Sequence, residues 1–148
     1  MALHNRTISR IAFEVLEKAR LDAVIYRNPY ITPEHVLFQM EGAGVLKEVM
    51  AKASMKPTFF RESLGVFLSY LSTTNSTDDY VVKLSKSLRT ALKDAIYAAE
   101  CDGGKPITIF HLLLGISGLD NSLAGYLLRK HPEVLDGFGV PYRSWKFS

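Results

Sequence analysis

Two histidines in the 148-residue chain occupy the same short motif, Ile-Thr-x-x-His-apolar-Leu, and could therefore do the same chemistry. His35 lies in the segment Ile31–Leu37, and His111 lies in the segment Ile107–Leu113. Imidazole binds zinc, but zinc sites normally need three or four protein ligands. Neither histidine has a His-x-x-x-His or Cys-x-x-Cys companion. We therefore interpret both as structural histidines and expect no metal site.

The other reactive side chains do not form a catalytic motif. Cys101 is the single cysteine and has no recognisable base partner. Asp78 and Asp79 lie in a polar stretch, without the enclosed setting that would tune one of them as an acid. The segment 103–106, Gly-Gly-Lys-Pro, lacks the spacing and the hydroxyl residue of a phosphate-binding loop. We expect neither enzyme activity nor a cofactor.

The composition indicates one soluble globular domain. Hydrophobic residues make up 47% of the chain and charged residues 22%, both ordinary values. There is no secretory signal pattern and no run near the roughly 20 apolar residues of a membrane span. One cysteine favours a reducing compartment, so a cytoplasmic location is expected. The 18 basic and 15 acidic residues are dispersed, which gives little support to binding of nucleic acid.

The chain contains one sequence unit twice. The motif of the first half returns 76 residues later, and the helix pattern before the motif returns at the same offset. The matching pairs are Ile31 with Ile107, His35 with His111, Leu16 with Leu92, Ala19 with Ala95 and Ala23 with Ala99. A match of helix, loop and helix start at one constant offset predicts an internal structural repeat.

Apolar residues at steps of three and four predict helices in both halves. Thr32 and Thr108 are placed to cap the short helices that carry the two histidines. No segment shows the alternation of a strand, so no substantial sheet is expected. The predicted fold is all-α, with two pseudo-symmetric four-helix repeats packed into one domain. Its predicted parts are repeat one at 5–71, a linker at 72–82, repeat two at 83–137 and an aromatic tail at 138–148.

The doubled motif resembles the N-terminal repeat domain of Clp-type AAA+ ATPases, the unfoldases that feed proteases or disaggregate proteins. The segment Ser122–His131 is most similar to the ClpA-like branch, and Asn28–His35 is also similar to type VI secretion relatives. The resemblance covers about residues 5–135. It implies a docking module that receives adaptor proteins or unfolded substrates for an AAA+ ATPase ring and does not hydrolyse ATP itself.

The resemblance also implies contact residues, of which Glu34 is the first. In related domains the acid before the first motif histidine lies on a surface that contacts an adaptor or a cationic ligand. An acid in the first turn of a helix is also favoured by the helix dipole, whatever it binds. The second repeat has Phe110 at this position, which cannot bond a guanidinium group. Recognition of arginine phosphate is therefore not expected.

Two further groups are candidate contacts. Ser85, Lys86 and Ser87 correspond to adaptor-contacting positions of ClpA-like domains, and Lys86 belongs to a basic helix face that could instead be solvated. Phe59 and Phe60 point about 100° apart on a helix, so full burial of both is not expected. Together with Phe67 and Tyr70 they could line an apolar groove for unfolded segments. Ordinary core packing is the alternative for both.

Three functions remain open from the sequence. The first is a docking module of a Clp-type unfoldase. The second is a free-standing regulator that competes for adaptors, and a distant third is a small helical nucleic-acid-binding protein. A Walker-type ATPase downstream in the same reading frame would separate the first from the second, and steep salt dependence of DNA binding would mark the third.

Overall fold

A computed structural model describes residues 7–75 and 80–138, and the regular secondary structure of these residues is helical except for two two-residue strands. The prediction of an all-α fold is confirmed. The predicted tail from residue 139 onward and the linker residues 76–79 lie outside the described residues. The helices are α1 Arg10–Ile25, α2 Pro33–Gly42, α3 Lys47–Lys52, α4 Phe59–Ser69, α5 Lys86–Cys101, α6 Ile109–Ser117, α7 Leu123–Lys130 and α8 Glu133–Asp136; the strands are β1 Tyr30–Ile31 and β2 Lys83–Leu84.

The helices of the two halves follow the sequence repeat. Both α1 and α5 have 16 residues, and they begin 76 positions apart, at Arg10 and Lys86. The helices α2 and α6 also begin 76 positions apart, at Pro33 and Ile109. The last helices differ, because α4 has 11 residues and α8 has four. The repeats are therefore closest in their first two helices.

Short extended segments of each repeat pair with segments of the other repeat. Ile31 pairs in parallel with Leu84, and Ile107 forms a parallel bridge with Ile8. The second pairing is the first one moved by the repeat offset, with the two halves reversed. Each ladder is too short to leave a period-two pattern in the sequence, which explains why the sequence predicts no substantial sheet.

The core is built on small residues in the long helices. Ala12, Ala19 and Ala23 of α1 are fully buried, and Ala91 and Ala95 play the same part in α5. In repeat two the helices meet backbone to backbone, because a Cβ added at Gly115 would lie 2.1 Å from the carbonyl oxygen of Ala91. Such contact leaves no space between α5 and α6 at this level.

Candidate binding site

The motif histidines complete reciprocal helix caps. The Thr32 hydroxyl accepts a hydrogen bond from the His35 backbone N–H at 3.2 Å, and His35 Nδ1 accepts one from the Thr32 backbone N–H at 3.0 Å. Thr108 and His111 repeat both bonds at 3.4 and 3.0 Å. Histidine thus takes the place that Glu or Gln holds in a capping box.

The outer nitrogen of each histidine reaches the end of the preceding helix. His35 Nε2 lies 3.0 Å from Asn28 Oδ1, and His111 Nε2 lies 3.1 Å from Asp102 Oδ2. Because Nδ1 accepts from the backbone, Nε2 carries the hydrogen in the neutral ring and donates it. Burial lowers the pKa of His35, although the charges of Asp22 and Glu34 oppose this. Among the described residues, no three His, Cys, Asp or Glu side chains are grouped to hold a metal ion.

Glu34 lies inside the molecule. Only 4% of the residue is exposed to solvent. Oε2 accepts hydrogen bonds from the Ser122 hydroxyl at 2.8 Å and from the Ala124 backbone N–H at 2.9 Å. Glu34 therefore satisfies the free N-terminal groups of α7, in the other repeat. The expectation that Glu34 lies on an exposed contact surface is wrong, because the helix start of the second repeat covers it.

A second buried carboxylate on α2 supports another helix start. Glu41 accepts hydrogen bonds from the backbone N–H groups of Phe60 at 2.8 Å and Arg61 at 3.0 Å. Burial raises the pKa of Glu41, and the two backbone bonds and the charge of Arg61 act against the rise. The helix α2 thus caps α7 with Glu34 and α4 with Glu41. The bond from Glu41 also fixes the position of the Arg61 backbone at the start of α4.

The two phenylalanines predicted at a groove belong to the core. Phe60 is fully buried. Phe59 is half-buried and meets the His131 ring edge-on, with ring centroids 4.7 Å apart. The expectation that Phe60 lines an open groove is wrong, since α4 turns this side chain inward; for Phe59 the structure shows packing against α7.

The predicted contact residues at the start of α5, Ser85, Lys86 and Ser87, differ in their surroundings. Ser85 is the N-cap, and its hydroxyl accepts from the Leu88 backbone N–H at 3.0 Å. The Ser87 hydroxyl lies 3.3 Å from that of Ser85. Lys86 is exposed at the first position of the helix. Contact of these three residues with an adaptor stays a prediction.

A cleft of about 400 Å³ opens in repeat one, where α1, α2 and α4 diverge. We call it the repeat-one cleft. Its volume is in the range of ligand pockets. On α4 the lining residues follow one helix face, at steps of three and four. The cleft is lined by Asp22, Tyr26, Asn28, His35, Phe38, Gln39, Arg61, Gly65, Leu68 and Ser69.

The charged groups of the cleft are engaged differently. Asp22 accepts a hydrogen bond from the Gln39 side-chain amide. The Arg61 guanidinium lies over the Phe38 ring, 4.3 Å from its centroid, and beside Gly42. Arg61 is exposed and has no ion pair with any carboxylate of the described residues. The cleft therefore offers a positioned cation above an aromatic floor.

Exposed apolar side chains occur at the cleft and next to its lining residues in the sequence. Tyr26 lines it and is 68% exposed. Ile25, Val66 and Tyr70 are neighbours in sequence of lining residues, and all three are largely exposed. Apolar side chains that gather on a surface mark a place for contact with other molecules. We call Ile25, Tyr26, Val66 and Tyr70 the apolar rim of repeat one.

The two repeats differ at positions that line the cleft. At the 76-residue offset, Gln39 corresponds to Gly115, and Asp22 corresponds to Ala98. Gly115 lets α6 approach the backbone of α5 at Ala91, whereas Gln39 and Asp22 form a hydrogen-bonded polar pair between α2 and α1. Arg61 and Phe38 line the cleft but carry no signal in the sequence motifs, and Arg61 has no counterpart in the four-residue helix α8. The difference between Gln39 and Gly115 is the signal in the sequence that points to this place.

These features define a small helical repeat domain, and its family is shown by comparison. The sequence profile of the Clp repeat (R) N-terminal domain matches residues 7–131. The chain belongs to this family, and the predicted resemblance is confirmed at that level. Its specific closeness to the ClpA-like branch stays a prediction. No curated protein sequence matches the chain significantly.

Solved structures of the same fold come from several Clp-type proteins. The N-terminal domain of Hsp104 from Candida albicans is 15% identical, with 93% of this chain and 89% of that chain covered and a TM-score of 0.76. The N-terminal domain of the chaperone ClpD from Arabidopsis thaliana is 14% identical, with coverage of 93% and 88% and a TM-score of 0.59. A complex of the ClpV N-domain with a VipB peptide is 17% identical, with coverage of 88% for both chains and a TM-score of 0.64.

Proposed function

We propose that this chain is a protein-docking domain that brings adaptors or substrate polypeptides to a Clp-type AAA+ unfoldase. The main support is the family match over residues 7–131. A structure of the same fold is a complex between a ClpV N-domain and a VipB peptide. The exposed apolar rim of repeat one offers this chain a surface for the same kind of contact.

The motif residues support this function indirectly. Glu34 and Glu41 accept hydrogen bonds from the N-terminal backbone N–H groups of α7 and α4, and His35 and His111 complete the caps of α2 and α6. These side chains therefore hold the helical scaffold. Binding then falls to side chains on the outside of the scaffold. No helix of the described residues is long and apolar enough to cross a membrane. A cytoplasmic location and association with an ATPase ring belong to the proposal.

Photo-crosslinking followed by competition tests the proposal. The full 148-residue chain, with photo-reactive leucine, is crosslinked in cells of its source, and the partners are identified by mass spectrometry. We expect an AAA+ ATPase subunit, its adaptor or its substrates. The purified chain, added in excess, should then slow degradation of an adaptor-delivered substrate and spare a substrate that needs no adaptor. Crosslinks to nucleic acid alone, or unchanged degradation of both substrates, would reject the proposal.

A further inference from the structure

We propose that the repeat-one cleft is the docking site for a partner peptide that carries an apolar side chain and a nearby carboxylate. This inference rests on the proposed protein-docking function and adds the place and the chemistry of recognition. The carboxylate pairs with Arg61, and the apolar side chain packs on the floor of the cleft.

The floor of the cleft is suited to an apolar side chain. Phe38 is half-buried and lines the cleft, with the Arg61 guanidinium over one part of its ring, and Leu68 lines the cleft from α4. Gly65 leaves room between them, because a Cβ added there would come no closer than 3.8 Å to the Phe38 ring. A space of about 400 Å³ is large enough for side chains of a peptide.

The positive charge of Arg61 in the cleft accounts for the carboxylate that we propose on the peptide. The charge of Arg61 acts on Glu41, but both carboxylate oxygens of Glu41 already accept backbone N–H groups of α4. Asp22 is bonded to Gln39 on the opposite wall. The Arg61 guanidinium, which lies over the Phe38 ring, is therefore available to bind a carboxylate of a partner peptide. Arginine binds carboxylates through two parallel hydrogen bonds, which gives both strength and direction.

The rim extends the contact beyond the cleft. Tyr26 and Tyr70 are exposed aromatic side chains, and aromatic residues are enriched where proteins bind other proteins. Ile25 and Val66 add exposed apolar surface. An extended or helical segment that fills the cleft with one side chain can therefore cover neighbouring apolar surface as well.

The second repeat provides an internal comparison. There Gly115 brings α6 against the backbone of α5, so the helices support each other directly. In the first repeat the corresponding helices carry Gln39 and Asp22, whose side chains are hydrogen-bonded to each other beside the cleft. The first repeat also carries Arg61 on the 11-residue helix α4, where the second repeat has the four-residue helix α8.

Peptide titration monitored by NMR tests the assignment. The probes are two pools of ten-residue synthetic peptides, each with a fixed Leu or Phe, one pool with a nearby Glu and the other with Lys. We expect the Glu pool to shift amide signals near Asp22, Phe38 and Arg61. Arg61→Glu should weaken binding of the Glu pool about tenfold or more and transfer the preference to the Lys pool. Lys93→Glu, on exposed α5, is the matched charge control and should change neither preference.

A second pair of variants separates blocking from misfolding. Gly65→Met fills the cleft and should abolish binding, whereas Gly65→Ala should retain it; both are checked by their thermal unfolding. Signal shifts confined to another face, binding that Arg61→Glu leaves unchanged, or no binding by either pool would overturn the site. A dimer in sedimentation that Arg61→Glu dissociates would assign the cleft to a second copy and also overturn the peptide proposal. If Arg61→Glu keeps the crosslinked partners of the previous section, the docking function stands and only the site fails.

Discussion

Glu34 and Ser122 are hydrogen-bonded across 88 positions of the sequence, with the Ser122 hydroxyl 2.8 Å from Glu34 Oε2. The same oxygen accepts the Ala124 backbone N–H, so one carboxylate on α2 caps a helix of the other repeat. This contact and the two short parallel pairings, Ile31 with Leu84 and Ile8 with Ile107, join the two repeats into one domain. The position that the sequence marks as a contact residue is in fact part of the scaffold.

Removal of this carboxylate should destabilise the whole domain. Glu34→Ala leaves the Ser122 hydroxyl and the Ala124 N–H buried without an acceptor, so we expect a loss of about 2–3 kcal/mol in the free energy of unfolding. Glu34→Gln keeps one acceptor oxygen and should lose less. Urea unfolding measures both variants. A Glu34→Ala protein within about 0.5 kcal/mol of the wild type, the range of ordinary surface substitutions, would contradict the capping role.

Stability should fall in mildly acidic solution because of His35. Its native pKa is lowered by burial from an ordinary value of 6.5, so the unfolded chain binds the proton first as the pH falls. The free energy of unfolding should therefore decrease below about pH 6.5 and level off once the pH passes the native pKa. Urea unfolding at a series of pH values measures this decrease.

His35→Gln is the control for the pH effect. Glutamine keeps an acceptor for the Thr32 N–H, as in ordinary capping boxes, but does not titrate. The variant should show a smaller decrease in stability below pH 6.5 than the wild type. An equal decrease in both proteins would assign the pH dependence to other groups.

Two glycines at helix positions should respond in opposite directions to alanine. A Cβ at Gly115 would meet the Ala91 carbonyl oxygen at 2.1 Å, which the backbone of α5 cannot relieve without moving. We expect Gly115→Ala to cost about 1–3 kcal/mol or more. A Cβ at Gly65 has room, so Gly65→Ala should stabilise the protein by up to about 1 kcal/mol through helix propensity. Thermal unfolding compares them, and equal Tm values would contradict the close contact of α5 and α6.

The all-α class, the duplication and the helix positions could be predicted because they depend on local signals repeated at one offset. The burial of Glu34 could not, because an acid in a first helical turn has the same sequence signature whether water or α7 lies above it. The inward turn of Phe60 depends likewise on where α4 packs. The strands β1 and β2 have two residues each, too few for a periodic pattern.

The cleft was not predictable from shared motifs, because it arises where the repeats differ. Gln39 against Gly115 is a visible difference, but its consequence requires knowing that this helix position faces α1. Arg61 has no counterpart in the short helix α8, so no repeat comparison could mark it. The placement of Gln39 and Arg61 at the cleft depends on tertiary contacts, which the sequence pattern does not contain.

Docking through repeat one is tested most directly by crosslinking from two equally exposed tyrosines. Tyr26 lies at the repeat-one cleft and is 68% exposed, whereas Tyr97 lies on α5 and is 64% exposed. p-Benzoylphenylalanine is placed at one position or the other in the full chain, and the crosslinked polypeptides are compared in the same cells. Position 26 should crosslink to partner polypeptides and position 97 should not. Equal yields at both positions, or a higher yield at position 97, would contradict docking at this cleft.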